Sequence, residues 1–240
     1  MDKSHEVFDD YVMKFDFGED KIKYKYNHSY RVMNECKKLA ESLDFDEEGV
    51  FLSMIIGLFH DIGRFKQWGE FKTFSDKDSA DHAEMSCDVL FKEGLIDSLE
   101  IPDNSEEVIS KAIYNHNKIS YDDSDYDEAE VIFCKIIRDA DKLDILRNFL
   151  DVAMSNRGEG NISEKVRKDF FDNKLISKED VMSKNDKVVL ILSLVFDLNF
   201  EYSKKVVIEE GIIKQIFESF DKDIFKEYID EVNRFLKESV

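Results

Sequence analysis

The side chains best suited to chemistry are five histidines, His5, His28, His60, His82 and His116, and the aspartates near them. Four of the five fall in helically patterned segments of the first half. His28 continues the stripe Val32, Cys36, Leu39, and His116 continues Ile109, Ala112, Ile113. Residues three and four apart share a helix face, so both imidazoles point where the apolar residues point. One inward histidine is ordinarily a core residue bonded to a carbonyl. Several in a small core each need a polar partner, and low dielectric penalises any left alone. A shared divalent metal satisfies many at once, and neutral imidazole with carboxylate is a donor set that borderline divalent ions accept.

Two carboxylates suit such a centre. Asp61 follows His60 at the end of an apolar run from Phe51. There it opposes the helix dipole, so it either emerges to solvent or meets a cation or donors. In Arg138-Asp139-Ala140-Asp141-Lys142-Leu143-Asp144, Asp139 and Asp141 lie about 200° apart on a helix and cannot face one centre. Asp139, near Lys135 and Lys142, reads as a solvated salt-bridging face. Asp141 continues Cys134, Ile137 and Ile145 and is the better ligand; Asp144 is placed to hold an imidazole in its tautomer.

The elements that must position these groups read as helices. One pattern runs from about Lys21 to Leu43. Asp46 is placed to cap the next, which Gly63 is placed to end. A third runs from near Ser79 to Gly94. Asn104 with Glu107 resembles a capping box for a fourth reaching Lys118, and Asp127 with Glu130 repeats it for a helix through Leu150. Beyond a loop at Asn156–Gly160, which contains Arg157, amphipathic segments follow near 162–172, 185–200, 203–219 and 222–238. Gly69–Asp78 reads equally as a short extended piece or a loop. No stretch alternates with period two for long enough to argue a sheet. The expectation is an all-α chain with a core over 1–150 and C-terminal helices over 151–240 packing on or capping it, in the same domain. Val188–Phe196 and Ile212–Phe220 read as helical core, and His5 as an exposed terminal residue.

Composition agrees. The 240 residues are 42% hydrophobic, with 20 Phe, 9 Gly and one proline, Pro102; scarce breakers favour long helices. The formal charge of -20 argues against nucleic-acid polymers and anionic membranes as partners, since both select clustered Lys and Arg. A phosphate substrate would need local cations to overcome that field, and metal ions are the obvious source. Cys36, Cys87 and Cys134 read as reduced core thiols. No secretory h-region or membrane-length apolar run is present, so a cytoplasmic location is expected.

His28, then His60-Asp61, then Asp141 resembles the H…HD…D signature of the HD-domain superfamily of metal-dependent phosphohydrolases. FHDIGRF (59–65), DHAEMS (81–86), NHN (115–117) and IRDADKLD (137–144) resemble bacterial HD-domain hydrolases in particular, over roughly residues 20–150. The resemblance implies an HD-domain helical bundle in which His28, His60, Asp61 and Asp141 bind one divalent ion. In two-metal branches the HD aspartate bridges and two further histidines complete the site. That assigns the bridge to Asp61 and the second ion to His82 and His116. Arg64 stands where the HD-GYP branch has lysine, Asn117 follows His116 where that branch has a second histidine, and GYP is absent, which argues against cyclic dinucleotides.

The implied activity is hydrolysis of a small phosphorylated metabolite, a nucleotide first, by water activated on one or two ions of Mn, Fe, Co, Ni, Mg or Zn. Arg64, Lys66 and Lys142 are candidate phosphate clamps, though each also reads as an ordinary surface cation. With one ion only, His82 or His116 is the candidate general acid. Two alternatives stand beside this: an HD-fold di-iron oxygenase, and a non-catalytic metal-binding regulatory module.

Overall fold

Asp46 accepts a hydrogen bond from Gly49 N at 2.8 Å and so starts a helix where its short acceptor side chain leads the expectation. The structure, a computed structural model, describes residues 1–149, 160–220 and 222–240. Among them it is all-α, without a strand. The chain divides into two compact units, Met1–Ala140 and Asp141–Val240.

The first unit contains α1 (Asp2–Val12), α2 (Asp20–Ser42), α3 (Glu47–Phe59), α4 (Gly63–Phe71), α5 (His82–Cys87), α6 (Glu106–Asn115) and most of α7 (Glu128–Arg147). The apolar face of α2 (Val32, Cys36, Leu39) is fully buried, as the stripe predicts. It meets α3 at Gly57, where a Cβ would stand 2.8 Å from both Cys36 Sγ and Met33 Cα. Only glycine permits that approach. Phe8 of α1 completes this core edge-on to Phe59 and Phe65, with centroids 5.6 and 5.9 Å away. At the start of α7, Asp127 and Glu130 exchange side-chain to backbone bonds as the capping box requires.

Several local expectations change. Asn104 is not the cap of α6: it takes a left-handed φ of 63°, and Ser105 precedes the helix instead. The third pattern is a short α5 continued by a wide turn over Asp88–Lys92. The undecided Gly69–Asp78 stretch ends α4 and then forms a loop closed by a 3-10 turn at Asp76–Asp78. His5, expected to be an exposed terminal residue, lies half-buried on α1, with Nε2 3.4 Å from Met33 Sδ.

The second unit begins within α7 and adds α8 (Glu164–Phe171), α9 (Lys184–Ser193), α10 (Glu201–Glu209), α11 (Ile212–Ser219) and α12 (Lys222–Ser239). Leu143, Leu146 and Phe149 share its core with Phe170, Leu192 and Val232. The Val188–Phe196 and Ile212–Phe220 segments contribute to that core as expected. Gly211, with φ of 63°, splits the predicted 203–219 helix into α10 and α11. The boundary expected after Leu150, and the predicted loop with Arg157, lie outside the described residues except for Gly160. Among the described residues no helix is long and apolar enough to cross a membrane.

Candidate metal centre

On an uninterrupted helix His60 and Asp61 would diverge by about 100°. Here α3 ends at Phe59, and the chain turns so that Ile62 N donates to Phe59 O (3.1 Å) and Arg64 N to Asp61 O (2.9 Å). Both side chains are buried within the first unit. Gly63, expected to stop a helix, instead begins α4. A Cβ on it would lie 2.4 Å from Ser86 N and 2.6 Å from Met85 C, so glycine lets α4 lie against α5. Gly63 N donates to Ser86 Oγ (3.0 Å), which donates to His82 O (2.9 Å). That chain of bonds ties the HD turn to His82.

Four imidazoles converge on Asp61. His28 and His60 approach Nε2 to Nε2 at 3.3 Å, and His82 and His116 at 3.1 Å. Asp61 turns one oxygen to each pair. Its Oδ2 lies 3.4 Å from His28 Nε2 and 3.6 Å from His60 Nε2. Its Oδ1 lies 3.5 Å from His82 Nε2 and 3.7 Å from His116 Nε2.

Three of the rings have their tautomer set by acceptors. His60 Nδ1 donates to Gly57 O (2.8 Å), His116 Nδ1 to Ile113 O (2.6 Å) and His82 Nδ1 to Asp76 Oδ2 (2.8 Å). Carbonyls and carboxylates only accept, so Nδ1 carries hydrogen in each, and in a neutral ring Nε2 then presents a lone pair. Burial, with the nearby Arg64 charge, pushes the His82 pKa down to about 3, so this ring is neutral near pH 7. The His82 Nε2 lone pair therefore faces His116 Nε2 across 3.1 Å, where a cation between the rings would satisfy it.

Asp61 Oδ1 is buried and accepts no hydrogen bond. Burial alone would raise the Asp61 pKa. The Lys25 ammonium, then His60 and the neighbouring imidazoles, outweigh it and hold the carboxyl well below the usual range. His60, Asp61 and His116 each offer a ligand atom within 4.8 Å of the others. An orphaned carboxylate oxygen, an inward-facing His82 lone pair and an imidazole–carboxylate donor set fit a divalent cation.

Two residues at this centre were not anticipated. Lys25, one turn before His28 on α2, donates to Asp61 Oδ2 at 2.5 Å; its i−3 spacing from His28 was the available signal. Asp76 holds His82 Nδ1 and also accepts from Arg64 Nη1 (2.9 Å) and Gln67 Nε2 (3.0 Å). It comes from the segment whose conformation the sequence left open.

The expected phosphate clamps have protein partners. Arg64 Nη1 donates to Gln67 Oε1 (2.7 Å) and Phe74 O (2.7 Å) besides Asp76, while its buried Nε makes no hydrogen bond. Lys66 pairs with Glu93 at 2.5 Å, and Lys142, in the second unit, with Asp197 at 2.8 Å. Asp139 is fully buried rather than solvated, because α7 is covered on that face too. Asp141 follows Ala140 on α7 as the first residue of the second unit and is half-buried. In that unit Asp144 accepts from Asn148 Nδ2 at 3.0 Å.

An all-helical fold carrying buried histidines around an HD aspartate defines a candidate metal centre. The HD-domain family profile matches residues 26–146, and the chain belongs to that family, part of a superfamily of metal-dependent phosphohydrolases that act on phosphorylated small molecules. Neither the curated proteins nor the solved structures gave a match.

Proposed function

We propose that this protein hydrolyses a small phosphate ester, a nucleotide being the first class to test. His28, His60, Asp61 and Asp141 would hold one divalent ion, and Asp61, His82 and His116 a second. The observation that carries this reading is Asp61, buried and ionised, with one oxygen towards each of two imidazole pairs and one oxygen without a hydrogen bond. Asp141 enters through its place in the HD signature and on α7.

A divalent ion held there supplies Lewis acidity and lowers the pKa of water from 15.7 to about 7. The chain's own residues do the rest. Asp76, Gly57 and Ile113 hold three imidazoles with Nε2 inward. Arg64 Nε, 3.6 Å from Asp61 Oδ1, offers an uncommitted donor for a phosphoryl oxygen. A His82 pKa near 3 favours a ligand role over that of a general acid. The three cysteines carry no disulfide, which supports the reducing cytoplasm as its compartment.

The test is a screen of phosphorylated metabolites with Mn²⁺, Co²⁺, Ni²⁺ and Mg²⁺, run beside Asp61→Ala. The expected result is metal-dependent phosphate release that the variant loses, together with metal binding, while its helical circular dichroism persists. Unchanged hydrolysis by the variant removes Asp61 from the mechanism. Bound iron after anaerobic purification, with no phosphate release, would transfer the site to oxygen chemistry.

A further inference from the structure

The ammonium of Lys25 penetrates the His/Asp cluster from α2, with its side chain only 15% exposed. Among the described residues its hydrogen bonding goes to Asp61 Oδ2 alone, at 2.5 Å. The ring of Phe74 also lies beside it, 6.0 Å from Nζ. Arg64 is the contrast. Its Nη1 is held by Gln67, Phe74 and Asp76, so its guanidinium cannot leave without breaking three hydrogen bonds. Lys25 has one tether and a flexible four-carbon stem.

The tether is the oxygen that faces His28 and His60. An ammonium and a divalent cation cannot share it comfortably, because like charges a few ångströms apart repel strongly at a buried site. In the metal-free protein Lys25 neutralises Asp61. Once Asp61 Oδ2 is committed to a metal, the ammonium loses that acceptor while the surroundings become more positive. It then needs an anion, and a substrate that brings phosphoryl oxygens to this centre provides one. The Phe74 face keeps the displaced ammonium beside the cluster.

We propose that Lys25 is a phosphate-contacting residue with two stations: counter-ion of Asp61 Oδ2 in the metal-free protein, and donor to a phosphoryl oxygen in the metal-loaded one. This rests on the metal-site reading above and adds to it a residue that governs both metal affinity and selection for anions. A lysine serving only to prop Asp61 in place would behave oppositely, since its removal would weaken metal binding.

The experiment compares the full-length wild type with Lys25→Met and Lys25→Arg. Metal-free protein is titrated with Mn²⁺ by calorimetry, and Mn²⁺-loaded protein is then titrated with orthophosphate. In Lys25→Met the Mn²⁺ dissociation constant should fall by about tenfold, as a competing cation is removed. Its orthophosphate dissociation constant should rise by about tenfold, as a charge-assisted donor is lost. Lys25→Arg should keep both constants close to wild type. Unchanged or weaker Mn²⁺ binding in Lys25→Met overturns the proposal, and so does unchanged phosphate affinity. If the methionine variant loses its helical dichroism, Lys25→Gln takes its place under the same criteria. Absence of Mn²⁺ binding to the wild type would overturn the metal-site reading and this proposal together. Wild-type binding of both ligands, matched by the variant, overturns Lys25 alone.

Discussion

His82 and His116 face one another through Nε2 at 3.1 Å, while their Nδ1 atoms are held by different kinds of acceptor, Asp76 Oδ2 and Ile113 O. The carbonyl belongs to α6, the helix that ends just before His116, and cannot be removed by mutation. The carboxylate comes from a separate loop and can. The two halves of the pair therefore differ in what supports them.

Asp76→Ala frees the His82 ring to change tautomer and removes one acceptor each from Arg64 and Gln67. Metal affinity should fall by about 10–100-fold, the usual effect of deleting a carboxylate behind a ligating imidazole. Titration with Co²⁺, followed in its visible spectrum, measures this. Wild-type affinity in the variant would remove Asp76 from the support of the site.

Acid should destabilise the metal-free protein through His82. Its folded-state pKa of about 3 lies below the ordinary 6.5, so between those values the unfolded chain binds more protons at this residue. Stability is then fully present above 6.5 and declines as pH falls through that window. Asp76, whose carboxyl is depressed against burial by His82 and Arg64, adds loss in the same direction at lower pH. Thermal midpoints of metal-free protein should drop between pH 6.5 and 4, and His82→Gln should flatten that slope. An equally steep profile in the variant would assign the acid sensitivity to other groups.

Gly63→Ala places a methyl group against backbone atoms of α5, not against a side chain that can swing away. The expected cost is about 1–3 kcal/mol, the range for overpacking a close-packed contact. Urea unfolding measures it. Metal binding should weaken as well, since the same contact sets the distance between the HD turn and His82. A variant with unchanged stability would show that α4 and α5 have slack at this crossing.

In the second unit, Asp186 accepts from Ser163 N (2.7 Å), Ser163 Oγ (2.7 Å), Met182 N (3.0 Å) and Ser183 N (3.0 Å). Asp186→Ala removes the acceptor shared by four part-buried donors and should cost about 3 kcal/mol. Guanidinium unfolding of the variant tests this, and a loss under about 1 kcal/mol would mean that water replaces the carboxylate.

Features confined to a single turn or helix face were legible from the sequence. The inward faces of His28 and His116 followed from apolar residues three and four places away, and the caps at Asp46 and Asp127 from donors within one turn. The absence of strands among the described residues followed from the lack of period-two patterning and the scarcity of glycine and proline. Pairings between separate elements were decided only by tertiary structure. Gly63 reads locally as a stop signal, yet its lack of a side chain serves contact with α5. Asp139 reads as a solvated charge because its helical neighbours are lysines, and it is buried because packing covers that face of α7. Lys25 shares a helix face with His28, but nothing along the chain names Asp61 as its partner or His82 as that of Asp76. Periodicity and capping are short-range and therefore written along the chain, whereas the partner of a buried charge depends on which distant segment the fold brings beside it.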